Sequence, residues 1–511
     1  LNAETLLLVT LAAPAARAIA AIAVARPSWL RDSLNIALAT VQGVAPLMLL
    51  KEVARGEVAP IVLAAPMPDM TFAFALEPVG VITASVCGLL SAAHSLHTAA
   101  YMRAIHEPAP ARLQTFIALS SLMATGVALS ANLFTLFVLH QALILASVPL
   151  VMHAGGEASR RAARTYISVL LGAAFGLLFP AIVWTHALGA DLTFRADGIL
   201  SGRVQPWVAN VLLMLFVFGY ATAALPPLHR WLAEASVAPF PALGALHALA
   251  VVPAGCAALL KTTLYVFGPA MAQAGLAARA LLLLAAATMC MAALNALAKQ
   301  DIRERLAYST IAQAAAVTAG AMLAMPAATY AAILQIVAYC FATLALIIAF
   351  ANVRAVAERT QIADMQGLGR QMPWTFSAVA IGAVSIIGLP PLAGAWPKLW
   401  LMEASAELAF ARGDVFSWFN GAVALSTIAN SLSWLAAGAL AALSTIATFA
   451  YLAPLAAKAL VGEPPPHMSA RPDGASIFMA GPVALTGVAT LALILLVDPL
   501  YDFLLPMFSQ P

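Results

Sequence analysis

Charge is what this chain has least of. Lysine, arginine, aspartate and glutamate make up 9% of its 511 residues against 63% hydrophobic, and mean hydropathy is +0.93. A soluble globular domain carries about 25% charged residues, so an ordinary water-soluble globule is excluded. The net charge of +3 is small and spread along the chain, which leaves no basic footprint for nucleic acid. Cysteine is scarce too. Cys87, Cys256, Cys290 and Cys340 are scattered through apolar runs with no CxxC pair, and they read as small packing residues, not as disulfide partners or metal ligands. There is no GxGxxG after a strand and no paired-histidine set, so no cofactor is expected. The first apolar run contains Arg17 and further runs follow it, which argues against a cleaved signal peptide.

The apolar runs, at roughly 20 residues per crossing, predict an all-α integral membrane protein of about fourteen spans. They fall near 4–24, 33–50, 77–101, 113–130, 132–153, 165–188, 206–233, 240–267, 276–298, 306–324, 328–351, 373–403, 434–460 and 475–497. Residues 415–433 are apolar but punctuated by Asn and Ser, and are expected to form a re-entrant or interfacial piece, with a fifteenth span as the alternative. With the N terminus outside, sixteen basic residues fall in cytoplasmic loops, among them Arg103, Arg160, Arg161, Arg164, Arg230 and Arg303. The other side receives six: Lys51, Arg55, Arg195, Arg203, Arg279 and Arg412. The positive-inside rule then places both termini on the periplasmic side of a bacterial inner membrane.

One motif occurs twice inside these runs. Leu225-Pro226-Pro227-Leu228 leads to Trp231 and Glu234-Ala235-Ser236, and Leu389-Pro390-Pro391-Leu392 leads to Trp396, Lys398 and Glu403-Ala404-Ser405. Proline removes a helix hydrogen bond and frees carbonyls, which a bilayer tolerates only where protein or a water-lined cavity satisfies them. Two broken helices at matching places in two halves point to an inverted-repeat transporter and its ion path.

With these motifs the chain resembles the antiporter-like membrane subunits shared by complex I and the Mrp-type cation/proton antiporters, over roughly residues 74–460. Leu228-His229-Arg230-Trp231-Leu232-Ala233-Glu234-Ala235 is similar to that family's "PxHxWLPDA" stretch, and Asp301 to Thr310 to its "DxKRxLAYST" signature. Gly367 to Pro373 and Gly388 to Gly394 are similar to its "GLxxxMP" and "GLPPxxG" blocks; Val266-Phe267-Gly268 after Lys261 to Tyr265 leans toward the D-type relatives of the Mrp antiporters. The resemblance implies two inverted five-helix repeats with broken seventh and twelfth helices, a line of buried charged residues carrying protons, and other membrane subunits as partners, with lipid around them and protons or sodium ions as cargo. The chain is then read as an N-terminal three-helix segment (1–110), a first antiporter-like half (111–304), a second (305–460), and a C-terminal helix and tail (461–511).

At the positions that carry the family's proton path, the chain departs. Gln141 stands where the fifth helix has a glutamate, Thr222 where the seventh has a lysine and Pro253 where the eighth has one. Tyr339 and Thr343 replace the eleventh helix's "HxxxK" pair. Glutamine and threonine order water but exchange no proton near neutral pH. Lys398 survives, four residues after Gly394. The resemblance therefore implies a subunit that has lost most or all autonomous conduction and serves a structural or coupling role. Two alternatives are a membrane-arm subunit of a redox-driven pump of complex I or membrane-bound hydrogenase type, and an active ion-translocating subunit, for instance in inorganic-carbon uptake. The complex I subunit with a long lateral C-terminal helix is disfavoured, because the sequence ends soon after its last span.

Each remaining polar residue has two readings. Lys398 is a proton site or the cap of the free carbonyl end before it. Lys261 replaces the amine lost at Pro253, or snorkels to the outer interface. His247 is a relay near neutral pKa or a histidine bonded within the bundle. His140, about 100° around the helix from Gln141, contacts a neighbouring helix or has a proton role. His229 is a mouth residue or a structural cap; Glu234 and Glu403 collect protons or are exposed loop carboxylates. Glu77 before Pro78 is a helix cap, Asp301 with Arg303 and Arg305 a surface network, and Arg17 needs an acidic, lipid or subunit partner.

Overall fold

The computed structural model describes residues 2–24, 26–56, 59–67, 70–268, 271, 275–410, 425–461 and 476–509. Twelve helices are long and apolar enough to cross a membrane, and two shorter apolar helices, Pro206–Gly219 and Pro373–Ile387, complete the expected set. In chain order they are α1 (Ala3–Ala23), α2 (Ser28–Arg55), α3 (Pro78–Ala104), α4 (Pro110–Leu129), α5 (Leu133–Val151) and α6 (Gly156–Ala187). Broken α7 (Pro206–Gly219, then Arg230–Glu234) leads to α8 (Phe240–Phe267), α9 (Gly275–Ala298), α10 (Ile302–Leu323) and α11 (Pro326–Ala357). Broken α12 (Pro373–Ile387, then Ala395–Phe410) is followed by α13 (Leu425–Leu460) and α14 (Ile477–Met507). The two breaks stand five helices apart, as an inverted repeat of five-helix units requires.

Local chemistry starts these helices where they start. Proline occupies the first turn of α3, α4, α7, α11 and α12, where its missing N–H has no helical partner to lose. Asn132 caps α5 by accepting from the Thr135 amide at 2.7 Å, and Asp301 caps α10 by accepting from the Arg303 amide at 2.8 Å. The Arg303 guanidinium folds back on the same carboxylate at 3.2 Å, but Arg305 does not join a surface network: it is buried and donates to the Leu297, Lys299 and Tyr451 carbonyls.

Two helices, α8 and α11, are buried along their whole apolar length, whereas about a third of α6 and α13 is covered. Lys261 on α8 is buried in this way, and what it does must be explained inside the protein. The N-terminal helices join this core by close approach. A Cβ on Gly88 of α3 would lie 2.3 Å from the Gln42 carbonyl of α2 and 3.0 Å from Gly43 Cα, so small residues let the two backbones touch.

Two features differ from expectation. A β-hairpin of β1 (Ile61–Met67) and β2 (Met70–Phe74) follows α2, and Phe74 bridges to Ser130 between α4 and α5. Its alternating run is short enough to pass as linker. Of the expected re-entrant piece 415–433, residues 415–424 lie outside the described set, and from Leu425 the chain is already α13. Ser431 there is buried; a helix accommodates such residues where another helix packs on them. Arg412 and Arg471 also lie outside the described residues. Replacing Gly88 with Val is expected to destabilise the chain by about 1–3 kcal/mol through overpacking, read as a lower midpoint in thermal unfolding of the purified membrane protein, with Gly172→Val (no neighbouring atom within 4 Å of its Cβ) as the control.

Candidate functional site: the buried polar axis

The two helix breaks satisfy their freed carbonyls by different chemistry. In α7 the chain turns through Ala224, at φ +57°, and the Trp231 indole Nε1 donates to the Ala221 carbonyl at 2.9 Å. In α12 it turns through Gly388, at φ +84°, and Lys398 Nζ donates to the carbonyls of Ile386 and Ile387, both at 2.8 Å. A cation at a helix C terminus is favourable by the macrodipole as well. Gly394 lets the second half of α12 seat against the first, since a Cβ there would lie 2.0 Å from the Ser385 carbonyl. Lys398 is 3% exposed, and it caps the free carbonyl end of the half-helix before it.

The α5 and α7 positions expected to depart from the family meet each other. His140 Nε2 lies 2.9 Å from Thr222 Oγ1, and Gln141 Nε2 lies 3.3 Å from His140 Nδ1. His140 thus reaches the break, and Gln141 reaches it only through His140. A Cβ on Gly255 of α8 would lie 2.4 Å from Thr222 Oγ1, so the threonine is wedged against that backbone. An extended amine at 222 would have to displace α8 or turn elsewhere.

Pro253 reshapes α8. Its ring conflicts with the carbonyl four residues earlier, and the five residues up to that one, Ala245–Leu249, form a π-helical turn, after which Ala250 sits at φ −138°, ψ −76°. His247 lies in that turn. Its Nδ1 is 2.9 Å from Thr310 Oγ1, and the Thr310 hydroxyl already donates to the Leu306 carbonyl at 3.0 Å. A hydroxyl has one proton, so His247 donates from Nδ1, and its Nε2 is buried without a partner among the described residues. Tyr339 and Thr343 on α11 are both buried, and the Tyr339 hydroxyl is likewise unpartnered there.

Lys261 does not snorkel. Its side chain is fully buried, its Nζ is 3.0 Å from Glu77 Oε1, and it donates to the Ala128 and Ser130 carbonyls at 2.7 Å each. The reason is the end of α4, whose terminal carbonyls offer partners closer than the interface. Glu77 is more than a helix cap: besides accepting from the Val79 and Gly80 amides at 2.9 and 2.8 Å, it accepts from the Tyr265 hydroxyl at 2.8 Å.

Other expectations are corrected by their surroundings. Glu234 and Glu403 are on helices, not loops: Glu234 ends the second piece of α7 and pairs with Arg230 at 3.4 Å, and Glu403 is exposed within the second piece of α12. His229 stands at the N-cap position of that α7 piece, but its side chain makes no capping bond. Among the described residues Arg17 has no acidic partner; its guanidinium donates to Asn35 Oδ1 at 3.0 Å, Gln42 Oε1 at 2.5 Å and Ser95 Oγ at 2.8 Å. At the end of the bundle that carries the basic loops, a cavity of about 690 Å³ opens between α6, α7, α9 and α10, lined by Arg161, Arg230, Glu234, Lys299, Glu304 and Tyr308. Sequence reasoning passed over His94 and His97 of α3, whose Nε2 atoms reach the Pro241 carbonyl at 3.0 Å and Asn352 Oδ1 at 2.9 Å. Two histidines three apart inside an apolar span were the available signal.

A helical membrane bundle with two broken helices and a buried polar axis between them defines an antiporter-like membrane subunit. Residues 130–453 match the family described as NADH:quinone oxidoreductase/Mrp antiporter, transmembrane, and the chain belongs to that family. It is 26% identical over 282 residues to the D subunit of the Na(+)/H(+) antiporter of Alkalihalophilus pseudofirmus (55% of this chain, 56% of that protein). It is 32% identical over 294 residues to NADH-quinone oxidoreductase subunit N 2 of Sorangium cellulosum (54% and 56%). The chain thus spans about half the length of the curated relatives it matches. Among solved structures it shares its fold with a chain of the Mrp complex from Dietzia, at TM-score 0.79 and 20% identity over 100% of this chain and 98% of that one. A chain of complex I from Thermus thermophilus gives TM-score 0.78 at 19% identity, covering 100% of each. These neighbours are parts of multisubunit membrane complexes.

Replacing Thr222 with Val strips the buried His140 of its hydrogen-bond partner and is expected to cost about 1–3 kcal/mol. The check is chemical or thermal unfolding in detergent, with His140→Leu/Thr222→Val recovering part of the loss because both partners are then apolar.

Proposed function

We propose that this chain is a membrane subunit of a multisubunit Mrp-like cation/proton antiporter or a related ion-translocating complex, with a degenerate proton path and a structural or coupling role. The observation that supports this reading is the hydrogen bond between His140 and Thr222: Thr222 stands where the resemblance implies an amine, and Gln141, where it implies a carboxylate, meets His140 instead. Moving a proton along a buried line needs groups that change charge and partners that respond to it. Pro253, Tyr339 and Thr343 supply none at the positions where the family has basic residues. Lys398 is bound to the carbonyls of its own broken helix, and Lys261 is held at the far end of α8. His247, His229, Glu234 and Glu403 complete the candidates, and the two carboxylates and His229 sit at or near the surface.

In this reading the partners are other membrane subunits and lipid, protons or sodium ions are moved elsewhere in the complex, and the chain has no catalytic site of its own. The asymmetry of basic residues supports a bacterial inner membrane with both termini periplasmic, and the division at residues 110, 304 and 460 belongs to the same reading. A second reading, a membrane-arm subunit of a redox-driven pump, is favoured by the likeness to a subunit of an NADH-quinone oxidoreductase. Purifying the native complex separates the two: quinone-site or hydrogenase-like chains beside this one support the second.

The inert reading is tested in proteoliposomes holding the whole complex with Lys398→Ala. Proton and sodium flux are expected to stay essentially unchanged, and near-complete loss of flux would refute it.

A further inference from the structure

The cavity at the basic-loop end of the bundle stands apart from the buried polar axis. It holds about 690 Å³, and Arg161, Arg230 and Lys299 line it against Glu157, Glu234 and Glu304. The arginine pairs are loose: Arg161 is 3.9 Å from Glu157 and Arg230 is 3.4 Å from Glu234, while Lys299 is 2.9 Å from Glu304. A guanidinium presents five N–H donors, so both arginines keep most of theirs for a ligand. Ser236, 6% exposed, lines the cavity, and its hydroxyl makes no hydrogen bond among the described residues. Arg160 and Arg164 stand exposed on α6 beside the mouth, so five bases meet three acids there.

The start of α6 favours an anion for a second reason. Its N-cap residue is Gly155, which offers no side-chain cap, so the first amides and the positive end of the helix dipole face the cavity rim without one. Length places these groups at the headgroups. α6 has 32 residues, about 48 Å at 1.5 Å each, against a hydrocarbon core of about 30 Å. Its first turns therefore project into the headgroup layer, and the rest runs along the acyl chains. Ser168 and Gly172 lie within about 20° of Arg161 around the helix axis, and both are exposed. Neither Gly172 nor Gly176 has an atom within 4 Å of where a Cβ would stand. Phe175 and Phe179, 54% and 46% exposed, stand beside this shallow track.

We propose that the cavity and the track below it on α6 form a site for an anionic phospholipid from the leaflet on the basic-loop side. The phosphodiester sits on Arg161, Arg230 and Lys299 within reach of the Ser236 hydroxyl, and one acyl chain follows Ser168, Gly172 and Gly176. Guanidinium groups recognise phosphate oxygens through paired donors, and basic pockets between membrane helices take such headgroups. One net negative charge suits the excess of bases, whereas a choline headgroup would bring a fixed cation against Arg160 and Arg164. The bound phosphate bridges α6, the second piece of α7 and the α9–α10 turn. The site stands whether or not the assembly moves ions.

The test uses the native complex in nanodiscs, with a fluorophore on Ser168→Cys and the complex lacking that cysteine as the blank. Quenching by phosphatidylglycerol with brominated acyl chains is compared with quenching by brominated phosphatidylcholine. Phosphatidylglycerol is expected to be preferred about fivefold, the equivalent of one net basic residue near a membrane surface. In Arg161→Gln/Arg230→Gln/Lys299→Gln that preference is expected to vanish. Equal quenching by the two lipids, no quenching by either because a partner subunit covers the face, or a preference that survives in the triple variant overturns the proposal. Replacing chloride with inorganic phosphate at the same ionic strength is expected to leave the preference in place; its loss would assign the site to free phosphate and overturn the lipid. Should the triple variant fail to assemble, Glu157→Gln/Glu304→Gln, which releases two of the bases, is expected to raise the preference, and an unchanged or lower one overturns the proposal.

Discussion

A carbonyl freed inside a bilayer has no water to turn to, and this chain breaks two of its helices there. The cost of leaving such groups unpaired is several kcal/mol each, so the rest of the bundle is arranged to meet it. In α7 an indole does so and in α12 an ammonium does. The same rule explains Lys261: the end of α4 offers carbonyls that need donors, and the lysine reaches them instead of the interface. In this protein the buried amines are bound first of all to backbone.

That preference has a consequence for charge movement. Lys398 shares its protons with main-chain oxygens, which do not change charge, whereas Lys261 also meets the Glu77 carboxylate. The other buried polar groups at the compared positions include a histidine bonded to a threonine, a second histidine bonded to another threonine, and a tyrosine. The two pairs are positioned by packing: Thr222 against Gly255, His247 in the π turn before Pro253. Hydrogen bonding within such pairs avoids the cost of leaving buried polar groups without partners.

The N-terminal helices follow a different solution to the same problem. Arg17 is buried with three neutral side chains around its guanidinium, and Gln42, one of them, passes a hydrogen bond on to Ser121 at 2.6 Å. The close crossing of α2 on α3 at Gly43 and Gly88 brings these groups within reach. A polar network of this kind ties the first three helices to α4 by bonds that lipid does not offer, and so fixes how the N-terminal segment sits on the core of the fold.

Much of the architecture was legible from residue order alone. Apolar run length sets the number of crossings because a bilayer has a fixed thickness, and a Pro-Pro pair must break a helix because it removes donors and clashes with the preceding turn. The neutral residues at the family's charged positions were legible for the same reason: identity is a property of sequence. Partner choice was not. Whether Lys261 turned to lipid or to the end of α4, whether His140 or Gln141 faced Thr222, and whether Arg17 met an acid or three neutral groups depended on which helix ends and backbones the fold brings within hydrogen-bonding distance. Those are contacts between residues up to 133 positions apart, and short-range pattern carries no information about them. The hairpin covering the α4–α5 junction stayed hidden as well, because its pairing with Ser130 exists only once those helices are in place.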